Sequence, residues 1–189
     1  ISSSMHDSPV WIFEKPQRDS NGDVYPNRYI AGADPYDNDE STTTSLGSIL
    51  ILDLMTDRIV AEYTGRPPMA DDYFEICRRL CLYYNARLNY ENNKKGLFGH
   101  FSKMNSTYLL TDVLEILVDK QMMKPGGVGN TAKGTNASQS INGWGRQLIA
   151  KYLLTPQTIV VAEEGEEKEV KRRNLDFIKN KALLIELSQ

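Results

Sequence analysis

Residues 29–34 (YIAGAD) and 48–91 (SILILDLMTDRIVAEYTGRPPMADDYFEICRRLCLYYNARLNYE) decide the fold. Tyr29 to Asp34 is a short strand pattern halted by Pro35. Ser48 to Leu54 and Arg58 to Thr64 are two further strand runs, joined by Met55-Thr56-Asp57 at hairpin spacing. After Arg66-Pro67-Pro68 the period changes. Tyr73, Ile76, Cys77, Leu80, Cys81 and Tyr84 recur at three and four residues, one face of a helix. That helix opens near Asp71, whose carboxylate suits an N-terminus. Ala86 to Glu91 is then a strand that stops at Asn92-Asn93. Strand, crossover helix and strand make a parallel pair in one sheet through a right-handed connection. The expected order is βββαβ, an α/β fold with a mixed sheet flanked by helices.

Outward from this block the signals weaken. Residues 1–28 are polar, with turns at Asn21-Gly22 and Tyr25-Pro26, and read as a linker or N-terminal arm. Residues 35–46 form a polar loop. Thr111 to Val118 is helical by pattern, and residues 124–143, rich in Gly, Asn, Ser and Thr, read as a mobile loop. Residues 145–154 return to helical spacing, 158–162 form a strand, 163–167 an acidic turn, and Leu175 to Ile185 a final helix.

The chain has 189 residues and is 40% hydrophobic, enough for a core and short enough for one domain. No apolar run approaches the roughly 20 residues that cross a bilayer, and Ser2 to Ser8 lacks a signal-peptide pattern. No membrane association is expected, and the protein reads as soluble and intracellular. Cys77 and Cys81 share the apolar stripe of the helix and read as buried thiols, since His6 and His100 lack zinc-ligand spacing. A net charge of −3 does not point to nucleic acid. It does not exclude it, because metal ions held by carboxylates reverse the local field. The basic groups Arg78-Arg79, Lys94-Lys95 and Lys171-Arg172-Arg173 read as solvated faces.

The chemistry lies at the strand ends. If the fourth strand is parallel to the first, Asp34 and Glu91 sit at the C-terminal ends of neighbouring strands about 4.8 Å apart. Open α/β sheets bind ligands outside those ends. Two acids so close repel unless a cation or proton lies between them. Mg²⁺ and Mn²⁺ prefer oxygen ligands and keep waters, which suits a site that receives phosphate. Two such ions would support phosphodiester hydrolysis without a covalent intermediate.

On these residues the chain resembles the nuclease domain of phage terminase large subunits, particularly those of tailed phages related to the crAss-like group. The elements that carry the resemblance are Asp34 closing the first strand, the Asp53 to Ala61 turn (D-x-x-T-x-x-x-V-A), Tyr84-Asn85 ending the helix, and Glu91 to Gly96 (E-x-N-x-x-G). They span residues 29–96. Ile141 to Leu154 and Leu183 to Leu187 resemble later helices of the family. The resemblance implies a ribonuclease H-like nuclease domain over 29–189 with Asp34 and Glu91 as catalytic metal ligands. It implies two Mg²⁺ or Mn²⁺ ions and cutting of concatemeric double-stranded DNA during packaging in the host cell cytoplasm. Its implied partners are the motor's ATPase domain, expected outside this chain, the portal and a small terminase subunit.

The family's third acid follows the LLIEL-like helix, and the chain ends at Gln189 first, so a truncated C-terminus and a weak or inactive fragment are expected. Asp176, Asp37 and Asp39 are further ligand candidates, although Asp176 also suits the first turn of a helix and the other two suit a polar loop. Lys94, Lys95 and Asn92 are placed to reach phosphate. The Gly-rich stretch 126–134 lacks Walker A order, so no ATP site is expected. The rival readings are a catalytically weak docking module on the same fold and a junction resolvase.

Overall fold

A computed structural model describes residues 9–36, 45–126, 132–163, 166–179 and 183–184. The chain divides into two compact units, residues 1–138 and 139–189. The first is built on five strands: β1 (Trp11–Ile12), β2 (Tyr29–Asp34), β3 (Gly47–Asp53), β4 (Arg58–Gly65) and β5 (Arg87–Tyr90), in the order β1-β4-β3-β2-β5. β2, β3 and β4 form an antiparallel meander, β1 adds antiparallel to β4, and β5 alone pairs in parallel, with β2. This is a mixed α/β sheet with one parallel strand pair, flanked by helices.

The crossover helix α1 (Ala70–Tyr84) is what makes the parallel pair possible. It stops at Asn85, which sits in the left-handed region at φ 50° and ψ 42°, a conformation asparagine tolerates better than most residues. Its buried stripe is Tyr73, Phe74, Cys77, Leu80, Cys81 and Tyr84. The stripe packs into one core with Tyr29, Ala31, Ile49, Ile51, Tyr63, Leu88 and Tyr90 of the sheet. The core is unusually rich in tyrosine, and its hydroxyls reach outward to satisfy loop backbone. Tyr84 donates to the Glu14 carbonyl at 2.6 Å and Tyr36 to the Pro67 carbonyl at 3.0 Å, while Tyr29 accepts from the Gln17 N–H at 2.8 Å.

The segment before β2 is also joined to the sheet by strand pairing and by an ion pair. Trp11 and Ile12 pair with Glu62 and Ala61, and the Arg28 guanidinium grips the Asp53 carboxylate at 2.8–3.1 Å. Asp53 is 2% exposed and also accepts the Met55 N–H at 2.9 Å, so the first acid of the D-x-x-T turn orders the β3–β4 hairpin.

Beyond β5 come α2 (Gly96–Lys103), a 3-10 turn (Thr107–Leu109) and α3 (Glu115–Asp119). α2 was hidden in the sequence by Gly96 and Gly99, yet Leu97 and Phe101, four apart, bury one face. The helix expected over 111–118 is confined to α3. Thr111 is instead extended beside β5, donating its N–H to the Leu88 carbonyl at 2.9 Å, and Leu110 bridges Leu88 in parallel. Sheet pairing there overrides a short helical pattern in a β-branched stretch.

The second unit comprises α4 (Gln139–Leu154), a hairpin of β6 (Pro156–Glu163) with β7 (Glu166–Arg173), and a 3-10 turn (Asn174–Phe177). α4 begins at Gln139, inside the stretch expected as loop, because Ile141 is buried despite the flanking Asn142, Gly143 and Gly145. The basic run Lys171 to Arg173 lies in β7. Of the expected final helix, residues 180–182 and 185 fall outside the described residues. Asn174 to Phe177 is a 3-10 turn and not the first turn of an α-helix.

The buried acid groups of α1 and β5 give the first unit a definite response to alkali. Burial pushes the Cys77 thiol from its ordinary 9.0 up to about 12 and raises Cys81, Tyr73, Tyr84 and Tyr90 as well. In each case the folded state keeps a proton that the unfolded chain releases; the Cys77 contribution is complete below about pH 9 and is lost as pH rises toward 12, and the tyrosines add to the fall only above about pH 10. Urea midpoints should therefore stay flat from pH 7 to about 8.5 and fall steadily above pH 9. Cys77→Ala should lessen the early part of that fall. A midpoint that rises with pH in this range would contradict the assignment.

Candidate active site

Ala33 lies opposite Tyr90 in the parallel β2–β5 pair, and the Glu91 N–H donates to the Ala33 carbonyl at 3.2 Å. Asp34 and Glu91 are thus the next residues on two adjacent strands at their C-terminal ends. Side chains in register on parallel strands share a face. Ala31, Leu88 and Tyr90 are buried, so the two acids occupy the opposite face, together with Gly32 and Asn89. Asp34 is exposed and Glu91 half-buried. Nothing lies within 4 Å of where a Gly32 Cβ would stand, so Gly32 leaves open space on the face that carries the acids.

Both strand ends are held through their backbones. Tyr73 donates its hydroxyl to the carbonyls of Ser48 at 2.6 Å and Asp34 at 3.2 Å, tying the end of β2 to the start of β3. The Lys94 ammonium donates to the Pro35 carbonyl at 2.8 Å, linking the loop that follows Glu91 to the loop that follows Asp34. Of the two lysines read as reaching phosphate, Lys94 is turned to this structural use, and Lys95 is exposed on the same loop.

A strap over residues 132–136 closes the other side of β5. Thr135 bridges Glu91 in parallel, its N–H donates to the Tyr90 carbonyl at 2.8 Å, and its carbonyl accepts the Asn92 N–H at 3.0 Å. The Asn92 side chain donates to the Lys133 carbonyl at 2.6 Å. Asn89 accepts hydroxyls from Thr111 at 3.3 Å and Thr135 at 3.0 Å, which orients its amide beside Glu91. Lys133 bonds the Asp112 carboxylate at 2.6 Å and holds it below the usual carboxylate range. Alternation along β5 puts Asn89 on the acid face and makes it legible from sequence. No sequence signal marks Thr135, 44 positions from Glu91 in the chain.

Asp34 and Glu91 offer oxygen donors alone, the set that Mg²⁺ or Mn²⁺ prefers. Among the described residues, no group of three or more His, Cys, Asp or Glu is placed to hold a metal ion. Asp37 and Asp39 fall outside the described residues. Asp176 lies in the second unit, where its carboxylate accepts the Arg173 N–H at 2.8 Å and sits 3.5 Å from the Arg173 guanidinium. That cap accounts for its lowered pKa. No described helix is long and apolar enough to cross a membrane.

No protein-family model matches the chain, and no curated protein matches it. The solved structures similar to it include two phage proteins. The large terminase nuclease of thermophilic phage G20c is 13% identical, aligned over 87% of this chain and 78% of its own, with a TM-score of 0.36. The large terminase nuclease domain of Thermus phage P74-26 is 14% identical, aligned over 86% of this chain and 80% of its own, with a TM-score of 0.32. Neither structure supports an affinity to the crAss-like group.

Gly134 is the strap's fixed point. Its φ is +71°, and a Cβ there would come within 2.6 Å of the Tyr90 carbonyl. Gly134→Ala should cost roughly 1–3 kcal/mol in urea unfolding, through strain and displacement of the strap. Gly32→Ala, with open space, should stay within about 0.5 kcal/mol. Equal costs at the two positions would refute this account of the strap.

Proposed function

We propose that the chain is a metal-dependent DNA endonuclease domain of the terminase type, with Asp34 and Glu91 as its metal ligands. The observation that carries this is the parallel register that ends at Ala33 opposite Tyr90, which leaves Asp34 and Glu91 as the next residues on the only parallel strands of the described sheet. The residues around them favour a preorganised site. Tyr73 and Lys94 fix the loops that carry the acids, Asn89 is oriented by two threonines, and Gly32 leaves open space on their face. When bound, Mg²⁺ or Mn²⁺ would supply Lewis-acid stabilisation for phosphodiester hydrolysis. The protein's own part is to hold oxygen donors where a phosphodiester can be brought against them. The substrate is concatemeric double-stranded DNA, contacted mainly through phosphates, and binding weakens steeply with salt. The partners in this reading are the motor's ATPase domain, the portal and a small terminase subunit, in the host cell cytoplasm.

A second reading, a docking module with weak catalysis, is favoured by one observation. No third carboxylate joins the pair among the described residues. Two carboxylates hold a pair of divalent ions poorly, because the ions' mutual repulsion is under-compensated. A plasmid-nicking assay with Mn²⁺ separates the readings. The nuclease reading expects cleavage that rises with millimolar Mn²⁺ and falls at least about a hundredfold, or some 2.7 kcal/mol, in Asp34→Asn and Glu91→Gln, with unchanged near-ultraviolet circular dichroism. Cleavage that persists in either variant would remove that acid from the site. No cleavage by the parent chain at any Mn²⁺ level would leave the docking reading.

A further inference from the structure

A cleft of about 660 Å³ opens directly beside the loop that follows Glu91. One wall is the loop itself, with Asn92 and Lys95. A second wall is the turn after α3, with Met122, Met123 and Lys124, and the end of the strap contributes Asn136. Both walls are fixed by hydrogen bonds. The Asn93 amide holds the Ala137 backbone, accepting its N–H at 3.1 Å and donating to its carbonyl at 3.4 Å. Gln121, at φ 55°, turns the chain so that the Met122 and Met123 N–H groups both donate to the Leu117 carbonyl, at 2.8 and 3.1 Å.

The lining has a definite chemistry. Met122 and Met123 are half-buried and present polarisable thioethers, which adapt to a flat ring or a sugar. Lys95 and Lys124 both line the cleft and are exposed, and no described lining residue is acidic, in a chain whose net charge is −3. The volume is in the roughly 300–1,000 Å³ range of small-ligand sites. A ligand with an apolar face and attached negative charge fits both features. A neutral apolar ligand would leave the lysines unused, and a simple anion would leave the methionines unused.

Building on the nuclease reading, we propose that this cleft seats one nucleotide of the DNA strand flanking the scissile phosphodiester, its base or sugar against Met122 and Met123 and its phosphates at Lys95 and Lys124. The cleft adjoins Asn92, the residue after Glu91, so an occupied cleft fixes where along the strand the acids act. With both contacts outside the acid pair, strand binding survives removal of the divalent cation.

The test is fluorescence anisotropy on the 189-residue chain with a labelled single-stranded 12-mer and the matching duplex, in EDTA and in Ca²⁺. Lys124→Glu is expected to weaken binding about tenfold and to lower the salt slope by about one. Met123→Ala is expected to weaken it about threefold with the salt slope unchanged, a response that charge alone does not produce. Polyglutamate at matched charge should displace the strand poorly. If Lys124→Glu leaves the affinity within twofold while plasmid nicking continues, the cleft assignment fails and the nuclease reading stands. If Met123→Ala has no effect, or polyglutamate competes as well as DNA, the cleft is a general anionic surface and the nucleotide seat is overturned. If the parent chain neither binds nor cuts DNA, both proposals fall together.

Discussion

The parallel pairing of β2 with β5 sets Ala33 opposite Tyr90 and carries Asp34 and Glu91 one step past the last pair. Because successive strand residues alternate between faces, this register does two things at once. It buries Ala31, Leu88 and Tyr90 under α1, and it turns Gly32, Asn89 and the two acids the other way. A slip of one residue in β5 would drive Glu91 and Asn89 into the apolar layer and expose Leu88 and Tyr90. The burial that stabilises the first unit therefore also enforces the geometry of the candidate site. Neither could shift without the other.

What lies around the acids is mostly backbone held by side chains from far along the chain. Tyr73 reaches from α1 to the Asp34 and Ser48 carbonyls, Lys94 reaches back to Pro35, and Asn92 holds the strap at Lys133. Each bond satisfies a carbonyl at the rim of the sheet, where the ladder runs out and strand ends would otherwise fray. Loops that carry ligating groups need this support, since a displacement of about 1 Å is enough to impair a site.

The central block was legible because two strong periodicities meet in it. The apolar strand run SILILDL and the three-and-four spacing from Tyr73 to Tyr84 fixed β3 and α1 to within a residue or two, and Pro35 and Asn92 marked where the acid-bearing strands stop. The same block carried Asp34 and Glu91. Past Glu91 the local signals are weak and the contacts are not local. Thr111 pairs with β5 through tertiary hydrogen bonds that no short window reveals. Gly134 reads as one glycine among several in a loop until its closeness to Tyr90 is seen. Lys94 looked like a surface charge because its acceptor, Pro35, lies 59 positions away. The cleft is likewise assembled from three separated segments, none distinctive alone.

The tyrosine-rich core has an optical consequence. Tyr29 packs edge-on against Tyr84 at 5.2 Å, and Tyr36 and Tyr63 approach Tyr73 at 5.5 and 6.1 Å, so coupled phenol rings fill the first unit. Of the two indoles, Trp11 is 55% exposed on the edge strand and changes its surroundings little on unfolding, while Trp144 is half-buried in α4 of the second unit. Dichroism of the phenol rings thus follows the sheet that bears the acids, and indole emission follows the helix and hairpin beyond Ser138. The two units thus differ in which rings are buried, phenols in the first and, in part, an indole in the second, and the melting of one can be watched against the other without any label.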